Sequence, residues 1–230
     1  MIYVTADLHG YSLEAFQQLL QSAGFGEADY LFVLGDVIDR GDDGVTLLRW
    51  MIQQPNVQMI LGNHEAMLLA CEFLFDPVTE ESLGKLDAGK LAMVSNWMAN
   101  GAAPTLAALR SLLKTQPDVL EGVLDYLHDA PLYDTVEAGG RSFVLVHGGL
   151  GNFHPHRPLH HYTAEELLWT RPTLQTKYYD DATVIFGHTP TVYFGSEYRG
   201  RAVKTDTWVC IDTGDKPMLL RLDDMKAFYG

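Results

Sequence analysis

The chain has 230 residues, a formal net charge of −14 and 20% charged residues. An acidic balance of this size excludes the basic footprint that nucleic acid or an anionic membrane surface requires. With 47% hydrophobic residues the chain can bury a full core as one domain, which excludes the disordered and fibrous classes.

Taken in order, Ile2-Tyr3-Val4 reads as a short strand that ends in Ala6-Asp7-Leu8-His9-Gly10. Ser12 is an N-cap for a helix whose apolar face is Leu13, Phe16, Leu19 and Leu20, closed by Gly24 and Gly26. Tyr30-Leu31-Phe32-Val33-Leu34 is apolar without alternation, the mark of a buried strand, and runs into Gly35-Asp36-Val37-Ile38-Asp39-Arg40-Gly41. A second helix carries Val45, Leu47, Leu48, Trp50, Met51 and Ile52 and stops near Pro55. Residues 57–61 give a third strand ahead of Gly62-Asn63-His64-Glu65, and a helix from His64 carries Met67, Leu68, Leu69 and Phe73. Asp7, Asp36 and Asn63 lie 29 and 27 residues apart, about one βαβ unit each. Polar turns at the carboxyl ends of neighbouring parallel strands converge on one crevice, the expected active site.

Residues from about 76 to 129 break this alternation. They read as helical, with Leu106, Leu109, Leu112 and Leu113 spaced for one face, and are expected to form an insertion over or beside the site rather than a separate domain. Strands resume at 142–146, 183–186, 208–211 and 218–222. The first two end at His147-Gly148-Gly149 and Gly187-His188-Thr189-Pro190. Trp50, Phe73 and Phe75 are core by default. Cys71 and Cys210 are too few for a disulfide framework and read as small buried hydrophobes. No signal peptide and no apolar run of transmembrane length is read, so a cytoplasmic location is expected.

The turn residues Asp7, His9, Asp36, Asn63, His147 and His188 make a donor set of hard oxygen and imidazole. Such sets suit Mn, Fe, Zn or Co and argue against thiolate sites. The five motifs, in this order and each after a strand, resemble the phosphoprotein phosphatase family of binuclear metallophosphoesterases. Within it the chain is most similar to the small bacterial and phage serine/threonine phosphatases of the lambda type, and the resemblance spans Asp7 to about Asp212. It implies the four-layer α/β/β/α sandwich of calcineurin-like metallophosphoesterases, two facing mixed sheets flanked by helices. Periodicity by itself supports only an α/β class.

The resemblance also implies two divalent ions, with Mn²⁺ expected. Asp7 and His9 would serve one, Asn63, His147 and His188 the other, and Asp36 would bridge both. Two ions about 3.5–4 Å apart lower the pKa of a bridging water and clamp a phosphoryl group for direct in-line attack, so no phosphoenzyme is expected. His64 is implied as the general acid for the leaving oxygen, with Asp39 fixing and charging its imidazole. Arg40 and Arg171 are implied as phosphate clamps.

Alternatives stand beside several of these readings. Arg171 could instead form a surface ion pair. Trp97-Met98-Ala99-Asn100-Gly101 is similar to the phage-type enzymes, but a helix ending at a glycine is an equal reading. His154, His156, His160 and His161 lack regular spacing, which favours a solvated substrate-facing loop over a further metal site. Ala6 stands where the family usually has glycine, so the first turn needs a negative φ there. The tyrosine-bearing C-terminal loop of eukaryotic relatives is also missing. The leading function is a phosphomonoesterase acting on phosphorylated protein, at serine or threonine, or on a small phosphoester. The alternative is a hydrolase of dinucleoside polyphosphates. Asp39-Arg40-Gly41 and Glu65 favour the former, because symmetrical diadenosine tetraphosphatases usually vary at both. A non-catalytic scaffold would have lost ligands or the acid, and none is lost.

Overall fold

In the computed structural model, which describes residues 1–77, 79–80, 84 and 86–230, three parallel strands form first. They are β1 (Ile2–Thr5), β2 (Tyr30–Val33) and β3 (Val57–Met59), joined through α1 (Leu13–Ala23) and α2 (Gly44–Ile52). After α3 (Asn63–Ala70) comes the helical stretch, with α4 (Ala88–Ala99), α5 (Ala103–Thr115) and α6 (Pro117–His128). The part of the expected insertion at 78, 81–83 and 85 lies outside the described residues. Leu109 and Leu112 of the expected apolar face are buried, whereas Leu113 is 38% exposed. Three apolar positions already fill the face that α5 presents to its neighbours, and Leu113 falls past its edge.

The second half repeats the strand logic. An antiparallel pair, β4 (Tyr133–Ala138) and β5 (Arg141–Val146), is followed by α7 (Ala164–Leu168), β6 (Ala182–Phe186), β7 (Val203–Lys204) and β8 (Trp208–Cys210). The chain then returns to the first sheet with β9 (Met218–Arg221) and β10 (Lys226–Tyr229). The sheet orders are β10-β9-β1-β2-β3 and β4-β5-β6-β8-β7. Each sheet has three parallel strands, β1, β2 and β3 in one and β5, β6 and β8 in the other; antiparallel β9 and β10 extend the first beside β1, and antiparallel β4 and β7 flank the second.

Alternation along the strands sorts side chains into separate cores. Val4, Phe32 and Leu34 point inward and meet Phe143, Leu145, Ile185 and Val209 of the facing sheet. Tyr3, Leu31 and Val33 point outward under α1, α2 and the helical stretch, where Phe16, Leu47, Leu109 and Leu127 cover them. On the far side Val144, Val184, Phe186 and Trp208 are covered by Leu150, Tyr162, Leu167 and Tyr178. This is the expected sandwich of two mixed sheets, except that its fourth layer is the five-residue α7 with packed loops, not a set of long helices. Because both faces of β1 and β2 are apolar, polarity alone does not fix their register. The turns at their ends do. Among the described residues no helix is long and apolar enough to cross a membrane.

Candidate active site

Each parallel strand ends in residues that face one crevice. Asp7 and His9 follow β1, Asp36, Asp39 and Arg40 follow β2, and Asn63 and His64 open α3 after β3. His147 follows β5 and His188 follows β6. Backbone bonds lace the first two turns together: Asp7 N–H donates to Gly35 O (3.1 Å), His9 N–H to Asp36 O (2.8 Å) and Gly10 N–H to Val37 O (2.8 Å). Of eight described non-glycine residues with positive φ, six are here: Asp7, His9, Asp36, Asp39, Arg40 and His188, at 42 to 70°. Each such residue costs about 1–2 kcal/mol, and short polar side chains tolerate the region best. Ala6 is not among them, so the first turn keeps an ordinary φ at that position. A Cβ on Gly10 would strike the backbone of Gly41, and one on Gly62 would strike Asp36, so glycine is required where these turns cross.

Glu65 locks the second turn to the third. Its buried carboxylate accepts N–H donors from Asp36 (2.8 Å), Val37 (2.9 Å), Ile38 (3.2 Å) and Gly62 (3.2 Å). Burial, with the charge of Asp36, pushes its pKa up to about 7 against these donors.

Asp36 is the hub of two donor groups. Its Oδ2 lies 3.7 Å from His9 Nε2 and 3.8 Å from His64 Nε2, and its Oδ1 lies 3.4 Å from His147 Nε2. His9, Asp36 and His64 form one set able to hold a metal ion, and Asp36, His147 and His188 form another. The Nδ1 atoms of His9 and His147 face the carbonyls of Ile38 (3.2 Å) and Leu34 (2.7 Å), which points both Nε2 lone pairs into the crevice. Asn63 Oδ1 also faces His147 Nε2, at 2.8 Å. Burial pushes the His147 pKa down, and a neutral imidazole has one N–H to share between these two acceptors. A cation held by His147 Nε2 and Asn63 Oδ1 would reconcile the two facing lone pairs. The buried His188 Nε2 has no hydrogen-bond partner. Asp7 sits beside these groups and accepts His188 N–H at both oxygens (3.0 Å).

The electrostatics fit divalent cations. Burial, then Asp212 and Asp36, push the Asp7 carboxyl well above the usual range. Asp212, itself buried, is raised to about 6, by burial first and then by Asp36. Burial lowers His9 to about 4 and His188 to about 3, so both are neutral donors. Buried carboxylates beside neutral imidazoles form a set that positive charge stabilises.

His64 differs from the other imidazoles. Burial lowers its proton affinity, but the hydrogen bond to Asp39 and the charges of Asp36, Asp39 and Glu65 outweigh this and raise its pKa. Its Nδ1 lies 2.6 Å from Asp39 Oδ2, the same oxygen that accepts the indole N–H of Trp97 at 2.9 Å. Trp97 is fully buried in α4. Asp39 N–H donates to Thr105 Oγ1 (2.9 Å), and Arg40 N–H to Gly101 O (2.9 Å). Asn100 does end a helix before Gly101, yet this segment also holds the Asp39–Arg40 turn. Arg40 Nη2 lies 3.3 Å from His64 Nε2. Arg171 donates through Nη1 to His188 O (2.7 Å) and has a longer contact to Thr189 Oγ1 (3.4 Å), with no carboxylate among these partners.

The ten residues expected from sequence thus meet in one place. Three further contributors were not singled out: Asp212, Trp97 as a partner of Asp39, and Glu65 as a brace. Asp212 lies two residues past β8, and that strand-end position was the available signal. The histidine-rich loop is exposed, its pairs being His154 with His156 and His160 with His161. Neither pair belongs to a metal-holding group among the described residues.

A family model described as calcineurin-like phosphoesterase matches residues 1–214. The symmetrical bis(5'-nucleosyl)-tetraphosphatase of Chromobacterium violaceum is 33% identical over 125 residues, covering 53% of this chain and 39% of that protein. The protein of the same description from an Acidovorax species is 28% identical over 178 residues, covering 73% and 47%. The chain therefore spans less than half the length of these relatives. A solved structure described as a "putative diadenosine tetraphosphatase" superposes with a TM-score of 0.63 at 19% identity, covering 100% of this chain and 92% of that one. A serine/threonine phosphatase from Saccharomyces cerevisiae gives 0.55 at 13% identity, covering 100% and 78%. At these identities the structures speak for the fold. With the family model spanning residues 1–214, nearly the whole chain, the protein belongs to the calcineurin-like phosphoesterases.

Proposed function

We propose that the chain hydrolyses dinucleoside polyphosphates, cutting a bis(5'-nucleosyl) tetraphosphate into two nucleoside diphosphates. The observation that carries this reading is the description shared by the two relatives above, symmetrical bis(5'-nucleosyl)-tetraphosphatases. It replaces the expectation of a phosphoprotein substrate. That expectation leaned on Asp39-Arg40-Gly41 and Glu65, but Glu65 braces backbone turns and Asp39 holds His64, tasks that either substrate class needs. Residues 1–230 act in this reading as one domain, with about 76–129 as a helical insertion that holds the acid.

Asp7, His9, Asp36, Asn63, His147 and His188 are assigned to two divalent cations, Mn²⁺ first among them, with Asp36 shared. Bound there, the ions would acidify a water toward neutral pH and seat phosphoryl oxygens. Arg171, anchored on His188 O, and Arg40 bind further phosphate oxygens. His64 Nδ1 faces Asp39 at 2.6 Å, and Arg40 Nη2 lies 3.3 Å from Nε2, a contact in which Nε2 accepts only while the ring is neutral. Phosphate drawing Arg40 away frees Nε2 to carry a proton toward the departing oxygen. Water adds one oxygen to phosphorus, the P–O bond to the leaving nucleoside diphosphate breaks, and His64 protonates that group.

The test is a panel with purified protein and Mn²⁺: diadenosine tetraphosphate, a phosphoserine peptide and a bis-ester. ADP is expected as the sole nucleotide product. AMP with ATP would overturn the symmetrical cut, and turnover of the peptide alone would restore the protein phosphatase reading. Trp97→Phe removes one donor from Asp39, worth about 1.5–3 kcal/mol for a bond to a charged group. It is expected to lower kcat about tenfold or more with metal content kept. Wild-type kcat in that variant would mean that the indole orients nothing.

A further inference from the structure

A cavity of about 850 Å³ opens beside Asp7, His9 and Arg40 and extends to the end of β10. A single phosphoryl group does not need such a volume, whereas small-molecule sites span about 300–1,000 Å³. Its walls come from separate segments: Tyr11 after β1, Arg199 in the loop before β7, Lys216 after β8 and Tyr229 in β10. Arg199 and Lys216 are exposed. Apart from histidines, the cations paired with carboxylates in salt bridges of the described residues are the amino terminus, Arg157 and Arg221, so neither Arg199 nor Lys216 is held in that way. The groove gathers Arg40, Arg199 and Lys216 against an equal number of carboxylate side chains, in a chain with 30 acidic residues and 16 lysines and arginines. Its carboxylates are Asp7 and Asp212, which belong to the centre, and the exposed Asp215. Tyr11 is half-buried and Tyr229 is 50% exposed, which leaves phenol surface facing solvent.

We propose that this groove is a nucleotide subsite, holding one nucleoside 5'-diphosphate half of the substrate while the scissile bond lies at the centre. This assignment rests on the dinucleoside reading of the active site. Arg199 and Lys216 meet the phosphate oxygens that extend away from the centre, and the tyrosines offer faces on which a nucleobase stacks. Several cations in one groove suit a run of anionic groups. A phosphopeptide brings one dianion, which the centre and its arginines already satisfy.

Equilibrium titration of the Mn²⁺-loaded protein with ADP and with inorganic phosphate tests this. Wild type is expected to bind ADP at least about tenfold more tightly than phosphate, since ADP adds charge-assisted contacts. The double variant Arg199→Ser with Lys216→Ser should weaken ADP about ten- to a hundredfold and leave phosphate affinity unchanged. Tyr229→Leu should weaken ADP by a smaller factor and phosphate not at all. Equal affinity for ADP and phosphate in wild type, or unaltered ADP binding in the double variant, overturns the subsite. Weaker phosphopeptide binding with ADP untouched would make the groove a peptide channel instead. Turnover of diadenosine tetraphosphate by the same wild-type preparation separates the two proposals: without it the function fails, and with it an insensitive double variant sinks the subsite alone.

Discussion

Asp36→Asn is expected to leave fewer than two transition-metal ions per chain and to lower hydrolysis by about 10³-fold. The reason is the hub geometry, in which both oxygens of this one carboxylate serve different imidazole groups. Asparagine offers one oxygen and no charge, so each site loses its shared anion. A loss of several kcal/mol from the positive seat at phosphorus corresponds to roughly that rate factor. The fold should survive, because the remaining amide oxygen can still accept His64 N–H, a bond of 3.0 Å with Asp36. Elemental analysis and thermal melting of the same sample read both effects. Two retained ions with near-normal turnover would remove Asp36 from the bridging position.

His64→Asn should act differently. Both metals stay, and the rate loss depends on the basicity of the departing oxygen. Phenyl phosphate releases a strongly basic phenolate that needs a proton in the transition state, whereas the nitrophenolate of p-nitrophenyl phosphate hardly does. The variant is expected to lose about 10²–10⁴-fold on the first and far less on the second. Asp39→Asn should show the same selectivity in weaker form, since Asp39 only orients and charges the ring at 2.6 Å. Distance alone places His64 with His9 and Asp36 in one potential metal group, so metal content is the decisive readout. Equal losses on both esters, or loss of one ion, would make His64 a ligand.

The parallel strands and their polar turns were legible because both faces of each strand are covered. Residues such as Tyr30 to Leu34 are then apolar without interruption, and the first polar residues mark the strand end. β4 and β10 were not legible, since they are edge strands with half-exposed residues and no such run. β7 has only two residues. Asp212 was passed over because β8 is three residues long and no histidine or glycine-rich motif announces its end. The Trp97–Asp39 bond joins positions 58 residues apart and depends on how α4 packs, which no local pattern encodes. Substrate class was not legible, because the residues weighed to discriminate it also brace the turns and orient His64.

The supports of the two chemical tasks come from different parts of the molecule. The turns assigned to the cations hang from the two sheets, whereas Asp39 and Arg40 are held by Trp97, Gly101 and Thr105 of the helical stretch. Parts of a fold open with separate free energies. Local release of α4 and the start of α5 would therefore act as a partial clutch. The metal half would go on cleaving activated esters while the acid half disengaged, and the range of substrates would narrow long before the enzyme fell silent.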